Sequence, residues 1–123
     1  MLKYLLGILL FTILDIIKIY YFRDIYITTI ENVQKDKFNI NYYGAIISYL
    51  LINIFLIYVI YFNKNLYEII FLTFIIYGIY NFTNYATFNN YNSFLYIFID
   101  IVTAILTIIL TIYIIKKFEE KYI

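Results

Sequence analysis

Four long apolar segments follow one another along the chain, at residues 2–22, 42–62, 66–88 and 94–115. About 20 helical residues at 1.5 Å rise span the ~30 Å hydrocarbon core of a bilayer, so each segment is long enough to cross one. The second segment carries no charge, the third only Glu68 in its first turn, and the fourth only Asp100. The first opens like a signal peptide, with Lys3 ahead of an apolar run. No small-residue cleavage site follows, and Asp15 and Lys18 interrupt its second half, so a retained signal anchor is expected. Asn63-Lys64-Asn65 and Asn89-Asn90-Tyr91-Asn92-Ser93 read as short polar turns, which makes the segments they join antiparallel neighbours. The pattern predicts an all-α, polytopic membrane protein: a single membrane domain built as an antiparallel four-helix transmembrane bundle.

The one sizeable polar region is residues 23–41, with Arg23, Asp24, Glu31, Lys35, Asp36 and Lys37. Tyr26, Ile30 and Val33 fall at i, i+4 and i+7 there, which suits a short helix lying on the membrane surface between spans one and two. A first helix that simply projects out of the bilayer fits the same residues, and both readings stay open at this point.

Composition strengthens the membrane reading: 65% of residues are hydrophobic and only 14% charged. The net charge of +1 gives no case for a nucleic-acid partner. With no Cys there is no disulfide framework, and with no His there is neither a Ser–His–Asp triad nor a His-based metal site. No cofactor and no metal are expected. The heavy use of Ile, Asn, Tyr, Phe and Lys matches AT-rich codons, a hint about source and not about function.

Orientation follows from where the cations lie. The side holding both termini and the second loop has Lys3, Lys64, Lys116, Lys117 and Lys121. The other side has Arg23, Lys35 and Lys37, with Lys18 near the end of span one. The excess favours cytoplasmic termini. Many Tyr residues at segment ends fit an interfacial aromatic belt.

The polar residues inside the spans fall at matched depth. Counted from each span's middle, Asp15, Asn81, Asn84 and Asp100 lie roughly 5–13 Å from the midplane, all in the non-cytoplasmic leaflet. Ser48 and Tyr49 of span two share that half. On span three, Thr73, Tyr77, Asn81, Asn84 and Thr87 follow 4-4-3-3 spacing, one polar stripe. On span four, Asp100, Thr103, Ala104, Thr107 and Thr111 form a stripe of small or polar residues that lets helices approach closely. Asp15 and Lys18 are three apart and share a face. A charge inside the bilayer costs roughly 2.5–3.5 kcal/mol on insertion scales, so these groups should turn inward. The expectation is a polar pocket formed by Asp15, Tyr77, Asn81, Asn84 and Asp100, supported by Lys18, Ser48, Tyr80, Thr83, Thr87 and Thr103. It should open towards the non-cytoplasmic surface. Asn81-Phe82-Thr83 matches the glycosylation acceptor pattern, but inside a span it should stay unused.

Tyr77-Gly78-x-Tyr80-x-x-Thr83-Asn84-x-Ala86-Thr87, with Leu14-Asp15 in the first span and Asp100 in the fourth, resembles the four-span membrane proteins catalogued as domain-of-unknown-function family 2177. The resemblance covers nearly the whole chain in order and spacing, and Asp15, Tyr26, Tyr77, Tyr80, Thr83, Asn84, Ala86, Thr87 and Asp100 match the family pattern. Two residues depart from it. Asn81 stands where the family usually has Asp, and Lys18 stands in a stretch that is usually apolar and Trp-containing. The resemblance implies a fold and a location; it implies no activity, because the family has none assigned.

Three classes of function are compatible with these residues. The first is a small-molecule or ion binding or transport-type module. The second is a structural or interaction subunit in which the acids only fix helix register. The third, least favoured, is a lipid-modifying enzyme with Asp15 or Asp100 as general acid or base. The expected partners are the lipid bilayer and, because one bundle of this size leaves little room for a complete path, a homo-oligomer or a membrane partner protein.

Overall fold

The computed structural model describes residues 1–37, 39, 41–87 and 94–122, and among them it has five α-helices. These are α1 (Leu2–Tyr21), α2 (Arg23–Gln34), α3 (Tyr42–Tyr61), α4 (Leu66–Thr87) and α5 (Phe94–Tyr122). Helices α3, α4 and α5 are each long and apolar enough to cross a membrane, and α1 with α2 makes a fourth when that bent pair is taken as one span. The predicted turn at residues 89–93 lies outside the described residues.

One boundary follows the sequence pattern and one departs from it. The chain turns by 75° between α1 and α2, so the first helix does not project straight on. Phe22 at the break has φ −100° and ψ 18°, and its N–H still bonds the carbonyls of Lys18 and Tyr20. The last helix does not stop at residue 115 but continues to Tyr122. Lys and Glu are strong helix formers, so a run of them ends an apolar segment without ending a helix. Lys3 on α1 pairs with Glu119 at 3.1 Å, which ties this extension back to the start of the chain.

The turn between α3 and α4 is built by its polar residues. Asn63 takes a left-handed φ of 48°, and the Lys64 N–H donates to Val59 O at 3.1 Å. Asn65 then caps α4. Its Oδ1 accepts from the Glu68 N–H and its Nδ2 donates to Glu68 Oε1, both at 2.9 Å. Lys64 reaches Glu68 at 3.2 Å, and this carboxylate raises the lysine's pKa above its ordinary value.

Helix α5 organises the packing. Ile97, Ile101, Ala104, Ile108, Ile112 and Ile115 are buried along it, and it lies closely against both α4 and α1, while α1 also packs on α3. Helices α3 and α4, though joined by a short turn, are not among the closely packed pairs. Phe11, Leu56, Val59, Ile69, Ile108 and Ile112, drawn from four helices, form the main apolar core. Gly7 permits this approach: a Cβ there would sit 2.9 Å from Ile115 Cδ1 and 3.0 Å from Ile60 Cδ1. The threonines of α5 look polar in the sequence yet satisfy themselves. Thr103, Thr107 and Thr111 donate to the carbonyls of Ile99, Thr103 and Thr107 at 2.5, 2.7 and 2.8 Å. The outward faces are apolar, with Leu5, Leu9, Ile13 and Ile16 exposed on α1 and Ile46, Ile47, Leu50 and Leu51 on α3.

Candidate functional site

The buried stripe of α1 runs Gly7, Phe11, Asp15, one residue per turn. The next turn places Lys18 beside Asp15, with its Nζ 3.1 Å from Asp15 Oδ1. The same ammonium lies 3.8 Å from Asp100 Oδ1 on α5. The side chains of Lys18, Asp15 and Asp100 are only 9%, 12% and 9% exposed, although charged residues are seldom buried unless paired. One lysine therefore sits between two carboxylates that come from opposite ends of the sequence.

Three more elements complete the cluster. Tyr26, carried back over α5 by the bend into α2, donates its hydroxyl to Asp100 Oδ1 at 2.9 Å. Tyr49 of α3 donates to Asp15 Oδ2 at 2.6 Å. Asn81 of α4, wholly buried, donates through Nδ2 to Asp100 Oδ2 at 2.7 Å and to its own helix at Tyr77 O at 2.9 Å. Each of the four carboxylate oxygens thus has a donor from the protein. The Lys18 Nζ also lies 5.9 Å from the ring centroids of both Tyr26 and Tyr77, so two aromatic faces border the ammonium. Tyr26 is held in turn by edge-to-face packing on Tyr96, with centroids 5.4 Å apart.

Of the residues expected from the sequence, Asp15, Lys18, Tyr77, Asn81 and Asp100 come together. Thr103 lies one turn along from Asp100, but its hydroxyl serves the backbone of α5 rather than a carboxylate. Asn84 is half-buried, and among the described residues its side chain makes no hydrogen bond to the cluster. Ser48, Tyr80, Thr83 and Thr87 are exposed on the outside of their helices, and the Thr87 hydroxyl bonds Thr83 O. The polar stripe of α4 thus leaves the interior in its last two turns. Ser48 is displaced for a simple reason: adjacent helix positions are about 100° apart, and Tyr49 takes the inward one.

Tyr26 and Tyr49 are the cluster members that the sequence reading left out of the site. A signal for Tyr49 existed. It is four residues before Asn53 and seven before Leu56, so the one amide inside α3 and a core leucine mark its face. Tyr26 depends on the 75° bend, and nothing in its own stretch points to Asp100.

Two carboxylates and one ammonium sum to a formal charge of −1 when all are ionised. In an apolar surround that residual charge is costly. Among the described residues no group of three or more acidic side chains is placed to hold a metal ion. Comparison with known proteins finds no matching family model, and no curated protein or solved structure with significant similarity.

Proposed function

We propose that this chain is a multi-pass integral membrane protein, an antiparallel bundle with both termini in the cytoplasm. In this reading its buried Asp15–Lys18–Asp100 cluster takes up and releases a proton or a small cation. The observation that carries the reading is the single ammonium shared by two buried carboxylates, at 3.1 and 3.8 Å. Such a cluster is one positive charge short of neutral, and intramembrane ionisable residues mark ion and proton pathways by default. Membrane insertion is supported by the three or four apolar helices and by their lipid-compatible outer faces. The orientation is supported by the excess of lysines at the termini and the α3–α4 turn. The likeness to domain-of-unknown-function family 2177 belongs to the same proposal, and four of its matching residues, Asp15, Tyr26, Tyr77 and Asp100, border the cluster.

The test is uptake into reconstituted vesicles under a proton or sodium gradient. Wild-type protein should take up the ion, and Asp15→Asn and Asp100→Asn should each abolish uptake while still reconstituting. A second reading is favoured by one observation, the full satisfaction of all four carboxylate oxygens by the protein's own donors. On that reading the cluster is a clasp fixing helix register. Equal uptake by empty and protein-containing vesicles, together with a lowered melting temperature for Asp100→Asn, selects it.

A further inference from the structure

Two buried oxygens beneath the ion cluster have no partner among the described residues: Asn53 Oδ1 and Thr73 Oγ1. Thr73 is wholly buried, and it stands apart from other threonines of the chain. Thr29, Thr87, Thr103, Thr107 and Thr111 all donate to the carbonyl four residues back, whereas the Thr73 hydroxyl does not. Asn53 spends its amide on Tyr49 O at 2.9 Å, which leaves its oxygen facing the interior.

Their place in the fold is fixed from both sides. On α3 the inward positions run Leu56, Asn53, Tyr49; on α4 they run Ile69, Thr73, Tyr77. The first of each trio belongs to the main apolar core. The last of each touches the ion cluster, Tyr49 through its bond to Asp15 and Tyr77 through its ring beside Lys18. Asn53 and Thr73 therefore occupy the layer between, one helical turn from the ions on two helices that are not closely packed on each other.

We infer that this layer binds ordered water, which pairs Asn53 Oδ1 and Thr73 Oγ1 and carries the hydrogen-bonded network one turn beyond the ion cluster towards the α3–α4 turn. Water fits the two groups chemically: Asn53 Oδ1 needs a donor, and the Thr73 hydroxyl can donate or accept. A bound water makes two to four such bonds at a buried polar site. A metal cation does not fit, because two oxygens fall well short of the roughly six ligands a hard cation takes. Use of this water as a route for the ion rests on the functional reading above; the water itself does not.

The test uses full-length protein in lipid nanodiscs. Proton NMR should show cross-relaxation between water and the Asn53 side-chain amide of the wild type, lost in Thr73→Val. That isosteric change should also lower the melting temperature by about 4 °C, since it strips a partner from bound water. Absence of the water signal in wild type overturns the inference. So does a Thr73→Val melting temperature that is unchanged or higher, the sign expected when an unpaired buried hydroxyl is removed. Vesicle uptake enters neither readout, so this inference and the functional reading fail separately.

Discussion

Asn81 donates its side-chain amide to Asp100 Oδ2 at 2.7 Å, and both residues are buried. The amide is doubly committed, because it also holds Tyr77 O on its own helix. It therefore locks α4 to α5 at one register and supplies the acid with a donor that no water need provide.

Asn81→Leu keeps the bulk but removes the donor. It should cost about 1–3 kcal/mol, because a buried acceptor is left unpaired. Asn81→Asp should cost more, since it sets a third acid against Asp100. Unfolding by graded detergent exchange measures both; equal stability of all three proteins contradicts the bond.

Lys18→Met leaves Asp15 and Asp100 without their shared cation. Breaking a buried ion pair from one side typically costs about 3–5 kcal/mol, and a loss of that order is expected here. Adding Asp15→Asn to Lys18→Met should recover part of it, because the remaining acid is then alone. Thermal unfolding of the two variants side by side reads the sign, and a double variant no more stable than the single one argues against a shared cation.

The inward choice on α3 has its own test. Tyr49→Phe removes a hydroxyl donor from a carboxylate and should cost about 1.5–3 kcal/mol, as should Tyr26→Phe. Ser48→Ala, on the exposed face, should stay within about 0.5 kcal/mol of wild type. Reversal of that order in the same unfolding assay places Ser48 inside instead.

What the sequence made legible, and what it did not, follows from how each residue is constrained. Asp15, Lys18, Asn81 and Asp100 were legible because a charge or amide in an apolar helix has few places to go but inward. The acids and the amide also fall at one depth. Tyr49 was obscured because a single amide, Asn53, marks the inward phase of α3, and because a chain with 17 tyrosines makes any one of them uninformative. The break at Phe22 coincides with the step from the apolar run to Arg23-Asp24, but its 75° angle had no local sign, since the chain has no proline and the nearest glycine lies far away. Across the bend Tyr26 packs back on Tyr96 and Asp100, contacts between residues about 70 apart in the sequence. The end of α5 was misplaced because hydropathy marks where an apolar run stops, whereas helicity continues through Lys116–Lys121.

The two buried glycines should behave oppositely. At Gly7 a Cβ meets two isoleucine methyl ends at about van der Waals overlap distance, so Gly7→Ala should cost about 1 kcal/mol and Gly7→Leu about 3 kcal/mol. At Gly78 a Cβ meets nothing within 4 Å. Gly78→Ala should therefore be neutral or stabilise by about 0.5–1 kcal/mol through helix propensity alone. A pair of melting curves decides, and a destabilising Gly78→Ala points to packing at that position.

The shared ammonium can be observed directly by solid-state NMR of protein in lipid bilayers, with lysine labelled by nitrogen-15 and aspartate carboxyls by carbon-13. The Lys18 Nζ should show strong dipolar coupling to two carboxyl carbons, one lost in Asp15→Asn and the other in Asp100→Asn. Coupling to Asp15 alone, or to neither acid, contradicts a cluster that joins α1 to α5 around one buried cation.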